Sequence, residues 1–348
     1  MSSRQRAHKA TTRANRQARR PREQTHEPQT LDEQTGLPTH LVEAVRASAG
    51  PLADTIIAGW GQERPVTMRV NTLRSGLADV TRELDEAGIG YARVPWYADA
   101  LVLADDVRER DVWGLNAYAQ GKVYLQSLSS MLPPLALRPQ PGTDVLDMCA
   151  APGGKTSELA ALAPAREGVR AARVTACELS APRAEKLEHN LAKLGATNVQ
   201  VMRVDARRLD DWFSFDQVLL DAPCTGSGTV SLHDGHAARY LTPELANRVE
   251  RSQRALLDRG LTVLKAGGSL VYSTCSILPR ENEDVVEWAL ARHADCELVD
   301  VVLPHAVAGE DTDAEAPLAL PNRLPGTLTV CPSHLYEGFF VSRIAKRG

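Results

Sequence analysis

Strand-like and helical segments alternate along the second half of the chain, and this alternation constrains the fold more than any other feature. From about Pro141 onward, short apolar runs alternate with segments whose apolar residues recur at helical spacing. Because strands joined by helices run parallel in one sheet, the pattern predicts an α/β domain with a mostly parallel sheet. The predicted strands are 144–148, 173–178, 199–204, 217–220 and 269–273, and the predicted helices are 155–162, 181–194, 243–264 and 281–294, with a short turn near 208–212.

A smaller α/β domain is predicted upstream of that sheet. Apolar spacing is helical over 37–58 and 77–87, and residues 66–71 alternate in the manner of a strand. We therefore expect a small α/β domain over 37–135 and a larger domain over 136–348. Further predicted elements are short strands at 92–94, 101–103 and 122–125, a final strand at 338–343, and a mobile loop at about 304–325, which is rich in Pro, Gly and acidic residues.

The first 22 residues carry eight basic side chains and no acidic one, whereas the whole chain has 40 basic and 44 acidic residues. We expect residues 1–36 to be a disordered arm that attracts phosphate groups without sequence preference. The alternative is a solubilising tail without a partner. The basic residues are Arg4, Arg6, Lys9, Arg13, Arg16, Arg19, Arg20 and Arg22.

Composition and cysteine spacing exclude several classes of protein. No apolar run approaches the roughly 20 residues that a membrane-spanning helix needs, and no secretory apolar region follows Met1. The six cysteines form no C-x-x-C pair and no zinc-like cluster with histidine. We expect a cytoplasmic, monomeric protein with reduced thiols and no metal site. Four cysteines, Cys149, Cys177, Cys296 and Cys331, are expected to be small buried hydrophobic residues.

A glycine-rich turn follows the first predicted strand of the larger domain. It lies in the segment Cys149-Ala-Ala-Pro-Gly-Gly-Lys155, which leads into a predicted helix. Glycine lets the backbone approach a ligand where a Cβ would clash, and the free amides at the helix start face that ligand. Because the segment is not G-x-G-x-x-G, it predicts a dinucleotide only weakly.

Four acidic residues end four consecutive predicted strands: Asp147, Glu178, Asp205 and Asp221. Because the carboxyl ends of parallel strands meet at one edge of a sheet, we expect them to line a ligand site. Glu178 is placed to accept from ribose hydroxyls, and Asp205 from an adenine amino group. The alternative for each is N-capping of the next helix, but four in register favour a nucleoside cofactor. A cationic sulfonium among carboxylates favours S-adenosylmethionine over ATP.

Two cysteines follow predicted strands at the same edge, Cys224 after Asp221-Ala-Pro and Cys275 after Ser273-Thr. A thiolate that adds to carbon 6 of cytosine makes carbon 5 nucleophilic toward a methyl sulfonium, and the thiol leaves after the carbon 5 proton. Two thiols beside a methyl-donor site therefore indicate methylation of a pyrimidine carbon. Asp221 is expected to contact ring N3, and Lys155 is the nearest cation that could lower a thiol pKa. Spacing alone leaves open which thiol attacks.

Several motifs together resemble the Nop/Sun (RsmB-like) family of RNA cytosine-5 methyltransferases, and the resemblance runs from about Leu37 to Lys346. Glu178 stands where that family more often has Asp, and residues 229–235 lack its usual basic residue and Pro-Asp, which leaves the identity of the RNA open. The matching segments are Arg69-Val-Asn-Thr-Leu73, Gln126 with Ser129-Ser130, Cys149-Ala-Ala-Pro-Gly-Gly-Lys155, Asp205-Ala206, Asp221-Ala-Pro-Cys-Thr-Gly-Ser-Gly228, Ser273-Thr-Cys-Ser276 with Pro279-Arg-Glu-Asn-Glu283, and Gly338-Phe-Phe340.

The resemblance implies a class I (Rossmann-like) methyltransferase domain behind a small RNA-recognition-like domain, with S-adenosylmethionine as cofactor. It also assigns the thiols: Cys275 is the nucleophile, and Cys224 helps to release the methylated product. The implied cofactor contacts are Cys149, Ala150, Ala151, Pro152, Gly153, Gly154, Lys155, Glu178, Asp205 and Asp221.

We therefore predict methyl transfer from S-adenosylmethionine to carbon 5 of cytidine in RNA, with ribosomal RNA as first choice and transfer RNA as second. One alternative is a non-catalytic RNA-binding or ribosome-assembly factor that keeps a methyltransferase fold, but Cys275 and the glycine-rich turn are both intact. The other is a DNA cytosine methyltransferase. The thiol placement and the small N-terminal domain favour RNA over DNA.

Overall fold

The computed structural model describes residues 30–233, 240–303 and 316–348. Most of the predicted basic arm lies outside these residues. Residues 31–36 fall within that predicted arm but belong to the folded unit Leu31–Gly348. They are ordered there because the Asp32 carboxylate accepts hydrogen bonds from the amide and the hydroxyl of Thr35, both at 2.9 Å. No helix within the described ranges is both long and apolar enough to cross a membrane.

Four short antiparallel strands form a sheet in the N-terminal part of the chain. Along the first strand, Met68 and Val70 point into a core with Leu84, whereas Arg69 points to the opposite side, as the two-residue period of a strand requires. The strands are β1 (Thr67–Val70), β2 (Tyr91–Val94), β3 (Tyr97–Leu103) and β4 (Val123–Leu125), in the order β2-β3-β1-β4, and the helices are α1 (Thr39–Ala49), α2 (Ala53–Trp60), α3 (Leu77–Glu86), α4 (Glu109–Trp113) and α5 (Asn116–Ala119).

The larger sheet has nine strands, and five neighbouring ones are parallel, which confirms the predicted α/β class with a mostly parallel sheet. Its strands are β5 (Asp144–Asp147), β6 (Arg173–Cys177), β7 (Val199–Met202), β8 (Phe215–Asp221), β9 (Leu264–Thr274), β10 (Cys296–Val299), β11 (Ala319–Leu320), β12 (Leu328–Val330) and β13 (Phe339–Lys346). The order is β11-β12-β13-β9-β8-β5-β6-β7, and β10 also pairs with β13.

Helices cover both faces of this sheet, so its central strands are apolar on both sides. Val145 packs in one core with Leu132 and Leu159, whereas the next residue, Leu146, packs in the opposite core with Leu257. The helices are α6 (Leu128–Leu137), α7 (Gly154–Leu162), α8 (Ala181–Leu194), α9 (Pro243–Thr262) and α10 (Glu283–Leu290).

Some predicted elements differ from the observed ones for identifiable reasons. The segment 304–325, predicted as a mobile loop, contains strand β11, because Ala319 and Leu320 pair with β12. Residues 304–315 of that segment lie outside the described ranges. Helix α6 escaped prediction because Pro133 and Pro134 lie inside it, where proline removes a helical hydrogen bond. Its side chains are almost entirely buried, so tertiary packing stabilises a helix that local sequence disfavours.

The predicted helix over 37–58 is broken at Gly50, whose φ of 53° is left-handed, and at Pro51. The apolar residues of the resulting helices α1 and α2 share a core with Val230 and Ile277, which lie in the loops that follow β8 and β9. Helices α1 and α2 lie upstream of residue 135 but pack against loops of the larger sheet. The predicted domain boundary between residues 135 and 136 stays a prediction.

Buried polar contacts join the small sheet to helix α7. Arg69 on β1 donates to the Ser157 hydroxyl at 2.9 Å, and Gln126 donates to the Glu158 carboxylate at 2.8 Å. Burial raises the pKa of Glu158 to about 8, although the Arg69 charge opposes that rise. Ser157 and Glu158 lie on α7, so the small sheet fixes the helix that begins at the glycine-rich turn.

We predict that Leu132→Ala destabilises the protein by about 2–5 kcal/mol, because Leu132 is fully buried on α6 and its truncation leaves a cavity. Leu318→Ala is the matched control, since Leu318 is 54% exposed and should change stability by less than about 0.5 kcal/mol. Urea unfolding followed by circular dichroism measures both. Equal midpoints for the two variants would contradict the assigned core.

Candidate active site

The carboxyl ends of the parallel strands open into a cavity of about 390 Å³. Glu178, Asp205 and Asp221 line it, from the carboxyl ends of β6, β7 and β8, and so do both candidate thiols, Cys224 and Cys275. The structure therefore brings together at one sheet edge residues that are separated by almost 100 positions in the sequence.

The turn from β5 into α7 brings the backbone close to this edge. Gly153 has a φ of 111°, which a side chain disfavours, and α7 begins at the next residue. A Cβ on Gly154 would lie 2.9 Å from the ring of Tyr124 on β4. Ala151 lines the larger cavity, and Pro152 lines a second cavity of about 240 Å³ on the other side of the turn. The turn is thus a thin wall between two cavities.

The four strand-end acids have different environments. Glu178 pairs with Arg183 at 3.1 Å and accepts from the Ser180 amide at 2.8 Å. Asp205 pairs with Arg207 at 2.7 Å, and the hydrogen bond from Arg207 lowers the pKa of this carboxyl although burial opposes it. Asp205 also caps the 3₁₀ turn that follows, so the N-capping alternative holds for it in addition to its place in the cavity wall.

Asp147 is the exception among these acids. It is 1% exposed and accepts from the Thr156 hydroxyl at 2.7 Å, so it fastens α7 to β5. Burial raises the pKa of Asp147 to about 6. The prediction that Asp147 lines the site like the other three is therefore only partly right, because this residue lies beneath the turn and borders the smaller cavity alone.

An ion pair lies on the wall that the two cavities share. Lys155 Nζ is 2.8 Å from Asp221 Oδ2, and it also donates to the Ser130 hydroxyl at 2.6 Å. The Ser273 hydroxyl donates to Asp221 Oδ1 at 2.8 Å. Burial alone would lower the pKa of Lys155, but the Asp221 carboxylate and, to a lesser extent, Cys275 raise it above its ordinary value. Lys155 is therefore a protonated cation beside Cys275.

The two candidate thiols are in contact. Cys224 Sγ lies 3.0 Å from Cys275 Sγ, and both side chains are half-buried. The hydrogen bond with Cys275, together with burial and the charge of Glu281, raises the pKa of Cys224 well above its ordinary range. The raised pKa favours the protonated form of Cys224, and either sulfur can be the donor in this hydrogen bond. The electrostatic surroundings of the two thiols differ, since the Lys155 ammonium lies near Cys275 and the Glu281 carboxylate lies near Cys224.

The remaining cysteines are not part of this pair. Cys177, Cys296 and Cys331 are buried, as their sequence context indicates. Cys149 is only half-buried and lines both cavities, so the prediction of a buried hydrophobic residue is wrong there. It is half-buried because it lies two residues after the end of β5, in the turn between the cavities.

Three side chains near the pair were not singled out as site residues from sequence. Ser130 and Ser273 hold the Lys155–Asp221 pair, and Glu281 lies under both thiol loops. All three lie in the segments that carry the family resemblance, and that resemblance is the sequence feature that could have identified them. Among the residues that the structure describes, no group of His, Cys, Asp and Glu is arranged to hold a metal ion.

Comparison with known proteins gives consistent matches. A family model described as 16S rRNA methyltransferase RsmB/F matches residues 134–345, and one described as the RsmF/B-like ferredoxin-like domain matches residues 37–108. A curated protein named Ribosomal RNA small subunit methyltransferase F, from Shewanella loihica, is 36% identical over 289 residues, which are 80% of this chain and 56% of that protein. The protein of the same name from Klebsiella pneumoniae is 36% identical over 84% of this chain and 60% of its own length.

A solved structure also matches most of the chain. The crystal structure of a methyltransferase homolog protein from Pyrococcus horikoshii is 33% identical, with a TM-score of 0.71, and the match covers 87% of this chain and 93% of that one. In contrast, the chain spans less than two thirds of the length of the two curated relatives.

We predict that Cys224 is alkylated slowly in the wild-type protein and faster in Cys275→Ala, because removal of Cys275 takes away the main cause of the raised Cys224 pKa. Iodoacetamide labelling at mildly alkaline pH, followed by peptide mass spectrometry, measures the rate at each cysteine. Buried Cys177 is the internal control and should stay slow in both proteins. Equal labelling of Cys224 in the two proteins would contradict the assignment of its proton.

Proposed function

Because this chain belongs to the RsmB/F family of methyltransferases, we propose that it transfers a methyl group from S-adenosylmethionine to carbon 5 of a cytidine in RNA. The family resemblance drawn from the motifs is confirmed by that match. The observation that carries the finer proposal is the contact of Cys224 with Cys275 at 3.0 Å, beside the Lys155–Asp221 pair. A thiol pair of this kind suits addition to a pyrimidine ring and subsequent release.

The larger cavity fits a nucleoside methyl donor. Its volume of about 390 Å³ is of the size of a small-ligand site. Glu178 would accept from the ribose hydroxyls, Asp205 would face the adenine amino group, and Leu179 and Pro223 offer apolar surface to the base. The backbone of the turn at Ala151 and Gly153 would hold the amino-acid end. Bound there, S-adenosylmethionine supplies an electrophilic methyl group.

The base that receives the methyl group would lie where the two cavities meet at Asp221, because both thiols line the larger cavity whereas Lys155 lines the smaller one. The smaller cavity lies between β4 and the glycine-rich turn, and Tyr124 and Ser130 are among its other lining residues. A base inside a helix cannot reach such a site, so the target nucleotide must be unstacked. Single-stranded or looped RNA provides such bases at low cost, which favours RNA over a DNA duplex.

We assign the nucleophile to Cys275 and the release step to Cys224. The Cys275 thiol gives its proton to solvent and its sulfur bonds to carbon 6, so that the electrons of the carbon 5–carbon 6 double bond make carbon 5 nucleophilic. Asp221 contacts the ring at N3, and protonated Lys155 gives a proton to that nitrogen. After methylation, carbon 5 loses its proton to solvent, the carbon–sulfur bond breaks, and N3 returns its proton to Lys155. Cys224 gives its proton to the departing sulfur 3.0 Å away, which restores the Cys275 thiol, and Cys224 regains a proton from solvent.

The preferred substrate is ribosomal RNA, with transfer RNA second, since the curated relatives are named for the small-subunit ribosomal RNA. An assay with methyl-labelled S-adenosylmethionine on total RNA and on DNA tests the proposal. Label in 5-methylcytidine of RNA supports it, label in DNA supports a DNA methyltransferase, and absence of label supports a non-catalytic RNA-binding factor.

We predict that Cys275→Ala abolishes methyl transfer to RNA, because this variant lacks the sulfur proposed to bond to carbon 6. Incorporation of labelled methyl groups measures the activity. Cys331→Ala is the control, since Cys331 is buried away from the site and its variant should stay active. A Cys275→Ala protein that still methylates cytidine would overturn the nucleophile assignment.

We predict that Cys224→Ala accumulates a covalent protein–RNA adduct, because Cys275 can still attack but lacks its partner for release. A retarded band on a denaturing gel, removed by ribonuclease, measures the adduct. The double variant Cys224→Ala, Cys275→Ala is the control and should give no band. A Cys224→Ala protein that turns over normally without an adduct would contradict the release assignment.

A further inference from the structure

A buried carboxylate lies under the two thiols and has no part in the steps described so far. Glu281 is fully buried, at the end of the 3₁₀ turn Pro279–Glu281. One carboxylate oxygen, Oε2, accepts from the Thr225 amide at 2.9 Å and from Gln253 at 3.0 Å. The other oxygen, Oε1, accepts from the Thr225 hydroxyl at 2.5 Å and from the Ser276 hydroxyl at 2.9 Å.

These contacts link the residues that directly follow the two cysteines. Thr225 comes after Cys224 in the loop that follows β8, and Ser276 comes after Cys275 in the loop that follows β9. A single carboxylate therefore holds both loops. A second link is the hydrogen bond between the Ser227 and Ser276 hydroxyls at 2.8 Å, and a third runs from the Gly228 amide to the Cys275 carbonyl at 2.9 Å.

We propose that Glu281 is a positioning residue that clamps the two loops together and so holds the Cys224 and Cys275 thiols in contact. The proposal concerns how the thiols are placed, and its catalytic consequence rests on the proposed function. No Lys, Arg or His in the described ranges forms an ion pair with Glu281, so four uncharged donors alone offset the cost of burying it.

The charge of Glu281 also bears on the proton of the thiol pair. It adds to the Cys275 hydrogen bond and to burial in raising the pKa of Cys224. Lys155, on the other side, stands close enough to Cys275 for the two to interact electrostatically. The Glu281 carboxylate thus favours the protonated form of Cys224, whereas the Lys155 ammonium acts on the other sulfur of the pair.

A neighbouring carboxylate provides a matched control. Glu283 is also buried, at 6% exposure, and accepts from the Arg323 amide at 2.6 Å. It makes no hydrogen bond to either thiol loop in the described structure. Glu281→Gln and Glu283→Gln therefore remove one buried charge each, at positions two residues apart, and only the first disturbs the clamp.

The contact between the thiols can be measured without RNA. Phenylarsine oxide bonds two adjacent thiols through one arsenic atom, and its oxygen leaves as water with the two thiol protons. We expect Glu281→Gln to bind it about 10- to 100-fold more weakly than the wild type, because small displacements strongly reduce the effective concentration of paired groups. Glu283→Gln should bind like the wild type, and Cys275→Ala gives the background from the other cysteines.

If Glu281→Gln binds phenylarsine oxide as tightly as the wild type, the proposal that Glu281 clamps the two loops is overturned. Should Glu281→Gln fail to fold, as judged by near-ultraviolet circular dichroism, Thr225→Val and Ser276→Ala carry the same test, because each removes one donor to the carboxylate. Each of these variants should weaken arsenical binding in the same direction. Wild-type affinity in both would overturn the proposal equally.

Kinetics then tests the catalytic consequence. In Glu281→Gln we expect kcat for RNA methylation to fall about 10- to 100-fold and the covalent adduct to persist, with KM for S-adenosylmethionine unchanged. A general loss of structure would also raise that KM. Weaker arsenical binding with normal adduct release would uphold the clamp and refute the release role of Cys224, so the two claims can fail separately.

Discussion

The ion pair between Lys155 and Asp221 is the contact on which the rest of the site depends. Lys155 is the second residue of the helix after the glycine-rich turn, and Asp221 ends the strand that leads to Cys224. Ser130, on a helix that follows the small sheet, accepts a second hydrogen bond from the same ammonium. A cation buried at this position requires its partners, because an unpaired charge there would be costly. The pair therefore joins the glycine-rich turn, the loop of Cys224 and the upstream helix into one arrangement.

This arrangement makes two chemically identical thiols unequal. The ammonium stands on the side of Cys275, whereas the Glu281 carboxylate lies below the loops and contributes to the raised pKa of Cys224. Such an asymmetry fits the proposal that one sulfur attacks and the other, 3.0 Å away, assists release. Asp221 borders both the larger and the smaller cavity. Under the proposed function, the methyl donor and the receiving base would meet at this residue.

Sequence reasoning identified the elements with strong local signals. The parallel strands and their helices follow hydrophobic periodicity, and helix 181–194 has the predicted bounds. Helix α6 did not follow from sequence, because its two prolines argue against a helix while burial on nearly all sides stabilises it. Strand β11 was not predicted either, since two residues at a sheet edge are too few to show the two-residue period of a strand. The clamp by Glu281 also depends on loops that meet only in the folded chain.

The central claim is that Cys275 attacks and Cys224 releases, and a trapped intermediate tests it most directly. RNA with 5-fluorocytidine at the target position should stop after methyl transfer, because fluorine replaces the carbon 5 proton that must leave. Peptide mass spectrometry of the trapped complex then identifies the sulfur bonded to carbon 6. We predict that the pyrimidine is found on the peptide containing Cys275. A pyrimidine bonded to Cys224 would contradict the account.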